Sequence, residues 1–289
     1  EALVLPPELN SDVFHAPCDI FNRGAELAVL DLPHPDIGAL IADDIDLART
    51  ARVRHRRPLE GTALAAVVPH PANLVLNGLI FRGHAAEAGL EEPAEPRFVR
   101  AGSGPLDAPG APIVLPSDAP GEIDYEGEIA LVIGHAAQDV PDRDAWRTVA
   151  GLTVVNDVSD RAGQRAAMSG ATWDLDEMVR AKRRPTFKPC GPALVTTDEF
   201  DPEPDLTIET LLNGVTVQRD STRNMLFGFS EVVSAISRSI PLRPGDVICT
   251  GTPAGVGSAR GRYLADGDTV TVRVSGVGQL VNPVLGPRR

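Results

Sequence analysis

Lysine is almost absent from this chain. Of 27 basic residues only two are lysine, Lys182 and Lys188, six positions apart. A lysine kept in an arginine-biased chain marks a place that needs a compact ammonium whose pKa can be tuned. Cysteine is scarce as well. Cys18, Cys190 and Cys249 are odd in number, far apart and without a Cys-x-x-Cys pair. That argues against a disulfide framework or structural zinc and agrees with a cytoplasmic home. Positive charge falls short of negative, 27 against 40, for a net charge of −13. Proteins that track phosphates neutralise them with Lys and Arg, so no nucleic-acid partner is expected. No run approaches the ~20 apolar residues of a membrane helix, so no membrane partner is expected either. Nor does an apolar secretion signal follow Glu1. Neither Gly-x-Gly-x-x-Gly nor a Gly-Lys-Ser/Thr phosphate loop occurs, which discounts nucleotide binding.

What the chain does have is glycine, proline and short apolar runs. Gly 27 and Pro 26 among 289 residues suit many strands and turns better than long helices. With 43% hydrophobic and 23% charged residues it is globular, as one large domain or two smaller ones. Residues 1–66 read as a small N-terminal accessory domain. Prolines break it up, Asp43 to Ala48 looks like an acidic helix start, and Arg52, Arg54, Arg56 and Arg57 form a basic run. That run is expected on a solvated face or a subunit contact. Residues 67–289 are strand-rich. Runs at Ala65 to Val68, Leu74 to Leu76, Ile129 to Ile133, Leu152 to Val155, Ala193 to Thr196 and Asp246 to Thr250 predict strands. Asn213-Gly214 between Leu206 to Leu211 and Val215 to Gln218 predicts a tight hairpin, and Ser275-Gly276 a second one. Helices are expected over Asp142 to Ala150 and over Ser230 to Ile240, the latter opened by Ser230 as N-cap. The fold class is α+β, rich in β.

The stretch Asp124 to Gly134 reads as a strand, which puts Glu126 and Glu128 on one face with Ala130 and Val132 behind them. At an effective dielectric of ~20, two like charges ~4 Å apart repel by about 4 kcal/mol. A divalent cation turns that repulsion into attraction, and oxygen ligands suit magnesium, calcium or manganese. The alternative is an edge strand with two solvated glutamates. Gly127 leaves room for a close backbone approach. Asp157, at the end of the strand Leu152 to Asn156, supplies a third carboxylate; it could equally be an N-cap, a role Ser159 or Asp160 would also fill. His84 and Glu87, three apart in a short helix, have the spacing of a general-base pair or of an ordinary surface pair. Gly251 to Gly257 reads as a tight loop whose N–H groups and Thr252 hydroxyl hold a carboxylate, or as a plain turn.

The order of these pieces resembles the fumarylacetoacetate hydrolase superfamily from about residue 67 to 283. The resemblance rests on Gly78 to Glu87, Glu126-Gly127-Glu128, Asn156 to Arg161 with Gln164, Lys182 to Thr186, Pro244-Gly245-Asp246 and Gly251 to Gly257. It implies rolled, mixed β-sheets around a central site, a homodimer, and one divalent cation per subunit, magnesium with manganese or calcium as alternatives. By the same resemblance Glu126, Glu128 and Asp157 ligate the metal, and His84, Glu87 and Lys182 are catalytic. Arg161, Gln164 and Thr252, with Phe81 and Gly251 beside them, hold the substrate. The implied reaction is hydrolysis of a carbon–carbon bond in a 1,3-dicarbonyl or acylpyruvate-type 2-oxo acid through a metal-stabilised enolate. Decarboxylation, keto–enol isomerisation, or metal and ligand binding without turnover are the alternatives. Three positions depart from the family: Ile80-Phe81 replaces Asn-Tyr, Pro185 replaces an Asp, and Arg100 replaces a lysine. They imply a more apolar pocket and a missing polar partner near Lys182.

Overall fold

The computed structural model describes residues 3–4, 26–30, 34, 36–43, 52–59, 61–118, 121–170 and 172–287. Of residues 1–66 it shows an antiparallel sheet of β1 (Leu3–Val4), β2 (Glu26–Leu30) and β3 (Val53–Pro58), and the helix Ile37–Asp43. Asp43 ends that helix; residues 44–48, expected to start one, lie outside the described residues, as does Cys18. Arg52, Arg54 and Arg56 are exposed on and beside β3.

Thirteen further strands follow. They are β4 (Leu74–Gly78), β5 (Arg97–Gly102), β6 (Ile113–Val114), β7 (Ile123–Asp124), β8 (Gly127–Ile133), β9 (Val149–Asn156) and β10 (Ser159–Asp160). Then come β11 (Cys190–Thr196), β12 (Thr207–Leu212), β13 (Val215–Ser221), β14 (Val247–Cys249), β15 (Thr269–Val274) and β16 (Gly278–Leu285). A six-stranded sheet runs β11-β9-β8-β14-β4-β5, parallel at β14–β4 and antiparallel elsewhere. A five-stranded sheet runs β13-β12-β15-β16-β6, and β7 pairs with β10. This is the mixed, sheet-rich α+β architecture the sequence implies.

The two larger sheets pack face to face. Side chains alternate along a strand, and on β8 the alternation divides two cores. Ile129, Leu131 and Ile133 join the main core against Ile208, Val270 and Val272 of the second sheet. Ala130 and Val132 join a second core with Leu74, Leu76, Val155 and Cys249, onto which Ile41 of the N-terminal helix also packs. A strand buried on both faces reads as continuously apolar, which is why β8 and β9 were plain in the sequence. At Gly127 the sheets touch closely: a Cβ there would lie 2.1 Å from Thr210 Oγ1.

Three local expectations fail. Ala65 to Val68 forms no strand; Ala66, Val67 and Val68 are buried in the second core without a ladder partner. The helix expected over Asp142 to Ala150 is only Asp142–Ala145 plus a turn, Trp146–Thr148. The Thr148 hydroxyl donates to Ala145 O at 2.7 Å, and Gly151 serves as a strand residue whose missing Cβ lets Val195 O approach. The last long helix is Phe229–Ser237, with Gly228 rather than Ser230 at its N-cap. The Glu203 carboxylate accepts from both Phe229 N and Ser230 N at 2.6 Å, so a distant residue does the capping.

Candidate active site

The strand expected over Asp124 to Gly134 is broken at residues 125–126: Glu126 stands in the break between β7 and β8, Glu128 near the start of β8, and Asp157 just past the end of β9. Pairing of β8 with β9 sets Gly127 opposite Asn156, so strand register alone brings the three carboxylates together. The Asn156 side chain accepts from Glu126 N at 3.0 Å, and Asp157 N donates to Glu126 O at 2.8 Å. One oxygen from each carboxylate lies within 4.8 Å of the others, and all three residues are buried. Asp160, not Asp157, caps the next helix, Arg161–Met168, leaving Asp157 to the cluster.

Three cations face these acids. Lys182, the last residue of the helix Leu175–Lys182, donates to Glu126 Oε2 at 2.6 Å and to Asp157 Oδ2 at 2.7 Å. Arg161 pairs through Nη1 with Glu126 Oε1 at 2.7 Å and donates from Nε to Asp124 Oδ2 at 2.7 Å. Lys188 reaches Asp157 Oδ1 at 2.5 Å. Burial pushes the Glu126 carboxyl up, but Lys182 and Arg161 outweigh it and bring it down to about 2. Glu128 behaves in the opposite way. Burial, then Asp157 and Glu126, raise it well above the usual range. It accepts from Gly251 N at 2.7 Å through Oε2, while its buried Oε1 has no partner. A divalent cation fits this arrangement: it would satisfy the orphaned oxygen and cancel the repulsion, and three hard oxygens suit magnesium, manganese or calcium.

The helix Arg82–Glu87 carries the histidine pair. His84 Nδ1 lies 2.8 Å from Glu87 Oε1, and Glu87 Oε2 accepts from Gly255 N at 2.8 Å. Burial raises the Glu87 carboxyl, but its bonds to His84 and Gly255 bring it below the ordinary value. An ionised carboxylate only accepts, so Nδ1 carries a proton, and in the neutral imidazole the lone pair is then on Nε2. His84, Glu87, Glu126, Arg161, Gln164, Lys182 and Thr252 all line one cavity of about 1000 Å³.

The glycine-rich loop does hold carboxylates, but they are the protein's own. Gly251 N serves Glu128, Gly255 N serves Glu87, and Gly257 N and Ser258 N serve Asp124 at 2.7 and 2.9 Å. The Thr252 hydroxyl is committed too, donating to Gly127 O and accepting from Gln218 Nε2. Phe81, expected beside the substrate, is buried in the main core together with Ile80, because the chain turns into the helix there and points them between the sheets. Gly251 braces Glu128 and, like Phe81, is not among the residues lining the cavity. The apolar wall of the cavity comes instead from Leu79, Leu90, Phe98, Met168, Trp173 and Leu175. Arg100 donates to Asn73, and Lys182 has two carboxylate partners despite Pro185. Asp124, fully buried beneath Arg161, was not singled out from sequence; only its place beside the Glu-Gly-Glu motif hinted at it.

A family model described as fumarylacetoacetate (FAA) hydrolase C-terminal matches residues 73–285. The chain belongs to the fumarylacetoacetate hydrolase family. Enzymes of this family depend on a divalent metal, and they include hydrolases, isomerases and tautomerases. The chain is 35% identical to the 2,4-didehydro-3-deoxy-L-rhamnonate hydrolase of Sphingomonas sp. over 71% of its own length and 70% of the relative's. It is 34% identical to the mitochondrial oxaloacetate tautomerase fahd2 of Xenopus laevis, over 77% and 68%. Among solved structures, the 2-hydroxyhepta-2,4-diene-1,7-dioate isomerase of Mycobacterium marinum superposes with a TM-score of 0.70 at 31% identity, covering 91% of this chain and 89% of that one.

Proposed function

We propose that the protein is a divalent-metal-dependent hydrolase that cleaves a carbon–carbon bond in an acylpyruvate or related 1,3-dicarbonyl 2-oxo acid. The observation that carries this reading is the braced His84–Glu87 pair opening onto the same cavity as Glu126, Arg161 and Lys182. Glu126, Glu128 and Asp157 are the residues that hold the cation, which when bound supplies Lewis-acid polarisation of the substrate's oxygens. Arg161 Nη2, a buried donor without a partner, takes the substrate carboxylate, with Gln164 beside it. His84 Nε2 removes a proton from water, and the water oxygen bonds to the carbonyl carbon remote from the carboxylate. The carbon–carbon bond breaks, and its electron pair leaves as an enolate. Lys182, with two of its three N–H bonds committed to carboxylates, turns the third toward the enolate oxygen. The imidazolium returns its proton to the leaving carbon.

The cavity also supports a substrate class. Four of the seven exposed large hydrophobic side chains among the described residues, Leu90, Met168, Trp173 and Leu175, line it. An uncharged, apolar acyl group beyond the dicarbonyl covers that surface. A second reading, a keto–enol isomerase or decarboxylase, is supported by the similarity to a tautomerase and an isomerase; it uses the same groups without attack by water. The family resemblance extends the proposal to a homodimer, which light scattering tests.

A panel of acylpyruvates followed by ultraviolet absorbance, with magnesium and then with chelator, tests the reaction. Metal-dependent bleaching with release of two acids is expected, fastest for apolar acyl groups. Interconversion of tautomers with the carbon skeleton intact would instead establish the isomerase. Stabilisation by the ligand without turnover would establish a binding protein.

A further inference from the structure

Lys188 is only 2% exposed, and no step above uses it. Its ammonium pairs with Asp157 Oδ1 at 2.5 Å. It also donates to the carbonyls of Val158 at 3.2 Å, of Phe187 at 3.1 Å and of Lys182. Both lysines of the chain therefore end on one carboxylate, Lys188 on Oδ1 and Lys182 on Oδ2. Lys188 further grips the backbone of Lys182 itself, at the last residue of its helix. Three carbonyls match the three N–H bonds of a compact ammonium, and the Asp157 oxygen adds an ion pair; a planar guanidinium is broader and presents its donors as a fork. That accounts for a lysine surviving here in a chain that otherwise uses arginine.

The charges matter as much as the geometry. Glu126 is paired with Lys182 and Arg161, and Asp157 with Lys182 and Lys188. Two carboxylates of the cluster thus meet three cations before any metal arrives, Arg161 being shared with Asp124 and Glu128 having no cation of its own among the described residues, and a dication entering the cluster meets Lys188 across a single carboxylate. In a buried setting such like-charge repulsion is several times stronger than in water. We infer that Lys188 is a positioning residue and built-in counter-cation of the acidic centre: it orients Asp157, anchors Lys182, and holds down the centre's affinity for divalent cations. The inference rests on the cation site proposed above.

The test is a titration of wild type, Lys188→Met and Lys188→Gln with Mn²⁺ alone, following free Mn²⁺ by electron paramagnetic resonance. Both variants are expected to bind one ion at least tenfold more tightly than wild type. At saturating Mn²⁺ they are expected to turn substrate over more slowly, because Lys182 has lost its anchor. A residue that only filled space would not tighten binding when replaced. Equal or weaker binding by the folded variants overturns the inference and leaves the site standing. A wild type that binds no Mn²⁺ overturns the site itself and this inference with it. Gln keeps two donors for the carbonyls if Met prevents folding. Should neither variant fold, Mn²⁺-loaded wild-type crystals decide: Lys188 still bonded to Asp157 supports the inference, and Lys188 released from it overturns it.

Discussion

Hydrolysis and enolisation part company at His84. Its Nε2 is the group offered to water, whereas Arg161 and Lys182 serve either reaction. His84→Ala is expected to slow hydrolysis by ~10²–10⁴-fold, the usual worth of general-base assistance, and to leave solvent exchange of the substrate's α-proton largely intact. Equal loss of both would contradict the division of roles. Glu87 adds a pH dependence. Its carboxyl lies below the ordinary value in the fold, so its bonds contribute fully above the unfolded value of 4.5 and are lost as pH falls through the lower, folded value. In urea denaturation, Glu87→Gln is expected to cost about 1–2 kcal/mol at pH 7, and the gap to wild type should shrink as the solution is acidified below that window. Some of this was legible in the sequence: His-x-x-Glu, Glu-x-Glu and a lone pair of lysines are local patterns. Lys188's partner was not, because which carboxylate a lysine meets is decided by how β9, β11 and a helix end converge. Phe81 misled for a similar reason, since nothing local tells which side of a chain reversal faces the core.

Among the elements, the glycine loop after β14 ties the site together. Its N–H groups hold Glu128, Glu87 and Asp124 at once. Gly255 has φ of +107°, and a Cβ on it would lie 2.1 Å from Val217 O. Gly255→Ala is therefore expected to release Glu87 and lower kcat at least tenfold while Mn²⁺ affinity, set by residues at the start of β8 and the end of β9, stays within about twofold. Steady-state kinetics beside a metal titration checks the separation. Gly127→Ala tests the contact between the sheets. It is expected to destabilise by roughly 1–3 kcal/mol, as overpacking does, and Thr210→Ala in the same chain should restore part of that loss. The strands behind this arrangement were readable because burial on both faces leaves unbroken apolar runs. The helices were less so, since Thr148 and Glu203 end or cap them through contacts that a local pattern does not display.

At the scale of the molecule, the larger sheets form a double layer, and the acidic centre lies where β8 begins and β9 ends within it. No helix among the described residues is long and apolar enough to cross a membrane. The family and the mixed-sheet architecture followed from the order of several short motifs, none of which is specific alone. Ligand linkage gives a global check. A cation at 100 times its dissociation constant should stabilise the fold by about 2.7 kcal/mol, and Glu128→Gln, which removes a charged ligand, should abolish most of that gain in a thermal-shift assay. Anomalous diffraction from crystals grown with manganese is the most direct examination of the whole account. One peak is expected about 2.0–2.3 Å from oxygens of Glu126, Glu128 and Asp157. A map with no peak there, or with the manganese bound elsewhere and those carboxylates holding only Lys182 and Arg161, would contradict it.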